Sequence, residues 1–409
     1  MDSCWQTKPL RHAVTRILSG TSVNGEDRAP LDEEPRVLKL SAVRTGVFDP
    51  NECKVVSESD RDLVSVPVRA NTILMSRKNT SDLVGANAFV AQDHPGLYLP
   101  DLLWQFVIDE RRAIPRWLGL LLAAPQSRRL IRATAAGTSG SMKGITKPAI
   151  LALEFPFPSL AEQEAIVEVL DASEAAVRAA DALIEKKVAY KKALAEDLLA
   201  GHRSFPGFTD GWHKTVLGKV CALNDRTLPE TTHPDFEFTY VDLSAVSAAR
   251  IDWPSQGVRF QEAPGRARRV VKRGDVLVAT VRPYLQGFAT VDREPGNVVA
   301  STGFAVLSPV PGTDLRFIGQ WVFTDDASRQ FKQFLAGSSF PAVSASEIAS
   351  MQLRVPVSEV EQWRIADVLS ALDEEIALLR RQRDALNEQK KGLMQKLLTG
   401  EVRLKEFRE

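Results

Sequence analysis

The most constraining feature of this chain is a long helical segment that occurs twice. Ser159, Glu162, Gln163, Ile166, Val169, Leu170, Ala172, Lys191, Lys192, Leu194, Leu198, Leu199 and Gly201 recur, at one constant offset, as Ser358, Glu361, Gln362, Ile365, Val368, Leu369, Ala371, Lys390, Lys391, Leu393, Leu397, Leu398 and Gly400. The chain is therefore a two-fold array of domain, helix, domain, helix, and a protein built in duplicate meets a partner with two halves. Stepping by alternating four and three residues traces a heptad seam through each copy. The first seam is Ile166, Leu170, Ser173, Val177, Ala180, Ile184, Lys187, Lys191, Leu194 and Leu198. The second is Ile365, Leu369, Leu372, Ile376, Leu379, Arg383, Leu386, Lys390, Leu393 and Leu397. Each helix would run about 60 Å at 1.5 Å per residue. An exposed apolar seam of that length requires a partner, and the nearest is the other copy, paired antiparallel so that the two domains lie at opposite ends of a rod.

Punctuation fixes the boundaries. Pro156, Pro158 and Pro356 close the two domains, Ser159 and Ser358 are N-caps with Glu162 and Glu361 completing capping boxes, and Gly201 and Gly400 stop the helices. The expected division is a first domain over 1–158, a helix over 159–201, a linker over 202–211, a second domain over 212–357, a helix over 358–401 and a tail over 402–409. Strands are expected over 68–75, 88–91, 238–241, 276–281 and 304–307. A helix over 115–132, with Trp117, Leu120, Leu121 and Leu130 on one side, should kink or split at Pro125. A further helix is expected over 315–335. The domains are weakly related, since Val68–Leu74 sits opposite Val271–Leu277, and Leu10 in KPLRHAV echoes Leu217 in KTVLGKV.

With 409 residues, 44% hydrophobic and 25% charged, the chain is long enough for two or three domains. Cys4, Cys53 and Cys221 are odd in number and far apart, which suggests a reducing, cytoplasmic setting. No run of about 18 apolar residues suggests a membrane span, and the start does not read as a secretory signal. The net charge of zero averages unlike parts. Between residues 36 and 153 there are 16 Lys and Arg against 10 Asp and Glu, whereas the first long helix is acidic.

The segments LEFPFPSLAEQEAIVEVLD and LRVPVSEVEQWRIADVLSALD, the helix ends DLLAG and KLLTGEVRL, and the turn Lys272-Arg273-Gly274-Asp275, weaker in the first half as Arg69-Ala70-Asn71-Thr72, carry a family likeness. In them the chain resembles the specificity subunits of type I restriction–modification systems, over nearly its whole length. The resemblance implies an α+β architecture in which two mixed α/β target recognition domains are separated by two long helices forming an antiparallel intramolecular coiled coil. Each domain would read one half of a split, asymmetric DNA site. The helices would act as spacer and dock two methyltransferase subunits, with Glu162, Gln163, Glu361 and Gln362 as candidate partner-binding residues, and restriction subunits would join that complex. S-adenosylmethionine would be bound by the methyltransferase partner, so no cofactor is expected on this chain.

The residue chemistry points the same way. Affinity for DNA comes from phosphate contacts and sequence reading from groove contacts. The densest basic run is Arg266, Arg268, Arg269, Lys272 and Arg273, followed by Arg282 and Tyr284. It is read either as a solvated strand or as a phosphate clamp whose arginines read guanine. In the first domain the candidates are Arg69, Arg77, Lys78 and Lys143, with Arg128, Arg129, Arg132 and Lys147 scattered nearby. The Ser/Gly loops 137–145 and 337–343, with Ser139, Ser338 and Ser339, are either ordinary turns or places where backbone amides approach phosphate. Catalysis finds no support. The chain has neither a methyltransferase cofactor loop nor its Asn-Pro-Pro-aromatic motif, and no P-loop. Its five histidines make no metal spacing with cysteine. The rival readings are a coiled-coil scaffold with two protein-binding modules, and the DNA-recognition subunit of another defence system.

Overall fold

The computed structural model describes residues 5–31, 34–137, 142–208, 210–247, 249–293, 296–335 and 341–407. The chain divides into two compact units, Met1–Ala180 with Gln382–Glu409, and Asp181–Arg381. The division passes through the middle of both long helices, because each helix end is sealed into a globular core while its centre is not. Each unit is thus one mixed α/β domain plus half of each helix.

In the first unit, Thr72–Ser76 is the inner strand of an antiparallel sheet, flanked by Asn87–Val90 and Leu103–Ile108, with Val14–Ser19 beyond. A smaller sheet is built from Leu97–Tyr98, Arg36–Leu38, Cys53–Val56 and Gly25–Glu26. The described residues among the first 35 therefore belong to this domain, contributing strands to both sheets and a third, Gln6–Pro9, that pairs with Glu154–Phe157. The expected helix over 115–132 is split, as Pro125 requires, into Pro115–Ala123 and Pro125–Ala133, with Ala124 extended between them. The split turns the second segment, so Leu130 is 48% exposed rather than sharing a face with Trp117, and Ile131 takes the inward place.

The second unit repeats the plan. Val276–Ala279 is central between Phe304–Ser308 and Phe288–Thr290, and a second sheet orders Val258–Arg259, Glu237–Val241, Val298–Ser301 and Ala267–Val271. The helix expected over 315–335 is again two, Leu315–Trp321 and Asp325–Leu335, the second opened by Thr324, whose hydroxyl accepts from Ala327 N. The echo of Leu10 in Leu217 is structural. Both are fully buried, and each donates its backbone N–H to the residue before the closing strand, Leu153 O at 2.8 Å and Met351 O at 2.9 Å.

The long helices run over Leu160–Leu199 and Glu359–Thr399, and all the seam positions are buried or half-buried. Pairing is antiparallel in each unit. In the first, Ile166 and Leu170 share a core with Leu397 and Leu398; in the second, Leu198 and Leu199 share one with Ile365 and Leu369. Lys191 binds Asp373 at 2.6 Å in the second unit, and at matched positions Lys390 faces Glu174 at 3.6 Å in the first. Lys187 adds a pair with Glu375 at 2.7 Å. Seam lysines are therefore paired, not merely extended into solvent.

The capping serines act as expected, accepting from Glu162 N at 3.2 Å and Glu361 N at 3.4 Å. Glu162, however, does not return its carboxylate to the cap. It accepts from Trp5 Nε1 and from Arg403, all at 3.0 Å. A complete capping box forms at Ser344 and Glu347.

Candidate nucleic-acid interface

The basic run of the second domain folds as an edge strand, Ala267–Val271, paired antiparallel with Val298–Ser301. Its neighbours sort the basic residues, those within the strand from those flanking it. Arg268 is half-buried and lies over the Phe260 ring at 4.9 Å. Arg269 is half-buried, donates to Thr227 Oγ1 at 3.3 Å, and is held below its usual pKa by burial. These two guanidiniums are engaged with the protein. Arg266, Lys272 and Arg273 are exposed and carry the positive face.

The Lys272–Asp275 turn is built by its last two residues. Gly274 takes φ +90, which a β-carbon would oppose. Asp275, 1% exposed, accepts from Lys272 N at 2.7 Å and from Arg226 at 2.7 and 2.8 Å. Burial pulls the Arg226 pKa down, but the hydrogen bonds and charges of Asp275 and Asp225 outweigh it and hold it above the ordinary arginine value. The first domain makes the same turn with other chemistry. Asn71 takes φ +55, which asparagine tolerates, and the Thr72 hydroxyl donates to Arg69 O at 2.6 Å in place of the aspartate clip. The side chains here hold the turn; exposed Arg69 and Lys272 are what it presents.

A second cluster forms where the central strand ends. In the first domain, Lys78 pairs across from Gly144 and Asn79 from Lys143, while Ile145 N donates to Arg77 O at 2.9 Å. This gathers Arg77, Lys78 and Lys143, with Lys78 and Lys143 exposed and Arg77 3.7 Å from Asp101. In the second domain, Val281 bridges Ala342, Val343 N donates to Thr280 O at 2.8 Å, and Arg282 N donates to Pro341 O at 2.7 Å. Exposed Arg282 and Tyr284 stand there. Arg282 and Gln286 both hold left-handed backbone, φ +49 and +51, at a cost of about 1 to 2 kcal/mol each. The loops flagged for Ser139, Ser338 and Ser339 adjoin these clusters in sequence, but the three serines lie outside the described residues.

Three of the other basic candidates of the first domain, Arg128, Arg132 and Lys147, are structural, while Arg129 is exposed. Arg128 is 7% exposed and donates to Asp82 O and Val84 O, and burial, then the nearby Arg132, brings its pKa down to about 10. Arg132 holds Asp82 at 2.6 Å, and Lys147 donates to Ile17 O at 2.8 Å.

The four candidate partner-binding residues face inward. Gln163 accepts from Ile114 N at 2.8 Å and donates to Pro158 O at 3.0 Å; Gln362 repeats this with Asp314 N at 2.9 Å and Pro356 O at 3.0 Å. Glu162, Gln163, Glu361 and Gln362 are all 1 to 2% exposed. The two glutamines clip each helix start to its own domain, and all four residues are buried in this structure. The exposed large apolar side chains of the long helices are elsewhere: Val360, Trp363 and Leu378 on the second, and Leu160, Leu183, Val188 and Tyr190 on the first.

Sequence reasoning missed Trp5 and Trp212, which lie against the helix-stopping glycines Gly400 and Gly201. A tryptophan at the start of the first strand of each domain, just before it in one and opening it in the other, was the available signal. Among the described residues, no group of three or more His, Cys, Asp and Glu could hold a metal ion, and no helix is long and apolar enough to cross a membrane.

Residues 267–388 match the family model of the Type I restriction modification DNA specificity domain. The chain is 30% identical over 121 residues to the type I restriction enzyme HindI specificity subunit of Haemophilus influenzae, covering 29% of this chain and 26% of that one. It is 22% identical over 276 residues to the MjaVIII specificity subunit of Methanocaldococcus jannaschii, covering 62% and 63%. These two alignments span less than two thirds of either relative. Among solved structures, the type I restriction–modification S subunit from M. genitalium superposes with a TM-score of 0.60 at 14% identity, over 97% of this chain and 96% of the other. A chain described under complex assembly and conformational transition of the type I R-M system gives 0.58 at 18% identity, over 97% and 98%.

Proposed function

We propose that this chain is a type I restriction–modification specificity subunit and the non-catalytic DNA reader of its complex, a reading supported by the family-model match over residues 267–388 and by the similarity to curated specificity subunits. One observation carries this reading. Two domains with one framework place different exposed side chains where the central strand ends, Lys78 and Lys143 in one and Arg282 and Tyr284 in the other. A shared frame with different contacts is what reading two unlike half-sites requires, with phosphate contacts setting position and groove contacts setting sequence. Methylation would come from two partner methyltransferase subunits carrying S-adenosylmethionine, and cleavage from restriction subunits, in the cytoplasm. Exposed apolar residues on the long helices, including Leu183, Tyr190 and Leu378, offer contact to protein partners.

The test is a map of methylated positions in the host genome with and without this gene. The expected outcome is a split motif that disappears with the gene. An unchanged methylation map would favour a protein-binding scaffold instead.

A further inference from the structure

At the turn Arg282–Gln286, an apolar tip stands on a constrained backbone. Pro283 is buried and the turn packs against the helix Asp325–Leu335. Leu285 N donates to Arg282 O and Gln286 N to Pro283 O, both at 2.9 Å, and Arg282 N ties the turn to Pro341. Both flanking residues are left-handed without being glycine. Between them Tyr284 is 53% and Leu285 65% exposed. Backbone strain of this kind persists where surrounding structure enforces it, and it clusters at ligand clamps. A slack loop could fold its tyrosine and leucine back onto the domain; this one holds them out beside an exposed arginine.

We propose that Tyr284 and Leu285 form a wedge that enters a groove of duplex DNA and parts one base step, while Arg282 engages the adjoining phosphate. Apolar side chains inserted between base pairs partly unstack them and kink the duplex, which lets more protein surface reach it. Arginine beside the tip supplies the attraction to the phosphate backbone. The corresponding turn of the first domain, between Ser76 and Ala86, carries one exposed apolar side chain, Leu83 at 43%, and no aromatic residue, so the aromatic wedge belongs to one half-site only. The inference rests on the DNA-reading function proposed above.

The full chain is used to select from a randomised duplex library, and selected duplexes are remade with 2-aminopurine at successive positions. The parent is expected to select a split motif and to raise the fluorescence at one step within one half. Tyr284→Ala with Leu285→Ala should lose roughly tenfold in affinity and abolish that rise. The salt dependence should stay as it was, because no charge is removed. Leu285→Met should keep the rise. If the double variant melts early, the single variants carry the test. A parent that selects a motif without any fluorescence rise, or a double variant with parental affinity, overturns the wedge. A parent that selects no motif overturns the DNA-reading function itself.

Discussion

Glu162 is the residue on which the first unit depends most visibly. It is 2% exposed, and its two oxygens are shared between Trp5 and Arg403. Arg403→Met leaves the carboxylate buried without its counter-charge, and about 3 kcal/mol of stability should be lost. A urea titration of the variant checks this, and adding Glu162→Gln should recover part of the loss. At the interface, sequence pointed to a basic run but could not sort it. Arg268 and Arg269 are drawn into the protein by Phe260 and Thr227, partners more than five residues away in the chain, which only the fold brings near. The exposed members are the ones to remove. Arg266→Ala with Lys272→Ala should lower the slope of log affinity against log salt by about 2, at roughly 0.9 per lost phosphate contact. A slope equal to the parent's, measured by fluorescence anisotropy, would take this face out of contact with DNA.

The long helices were legible because a heptad seam, a capping serine and a terminal glycine are all local signals. Strand positions were legible to within a few residues. What sequence did not reveal is how each helix end is finished. Gly201 and Gly400 both hold left-handed backbone, φ +71 and +72, and both lie against a tryptophan. The fit differs. A β-carbon on Gly201 would come within 2.8 Å of the Trp212 ring, and one on Gly400 within 3.2 Å of Trp5. Both alanine variants should therefore lose about 1 kcal/mol from backbone strain, with Gly201→Ala losing more. Thermal melts of the two variants compare them directly, and equal losses would show that the tryptophans yield without cost. The family resemblance offers Glu162 and Gln163, which recur as Glu361 and Gln362, as candidates for partner contact. Recurrence reports a shared job, and here that job is anchoring each helix start to its own domain.

At the scale of the whole molecule, duplication was the feature sequence displayed best, since it depends only on order. Which residues meet DNA was legible in part, because exposure is decided by pairing across the sheets. Exchanging the first domain, residues 1–158, for that of a relative should change only one half of the methylated motif; genome-wide methylation mapping of the chimaera reads this, and a change in both halves would refute independent reading. The paired lysines of the helices have a further consequence. An apolar heptad seam is nearly indifferent to sliding by one repeat, because leucine meets leucine again. The charges are not indifferent. Lys191 now meets Asp373, and Lys390 meets Glu174. A slip of one heptad in one direction sets Lys191 against Arg380 while Lys390 meets Asp181; in the other it sets Lys191 against Ala366 and Lys390 against Val167, so either slip loses the Lys191 pair. The seam holds the helices together like the two strips of a slide rule, and the lysines are its detents. Alignment of the strips is thus a property that evolution, or an engineer, can reset by moving a charge while every leucine stays in place.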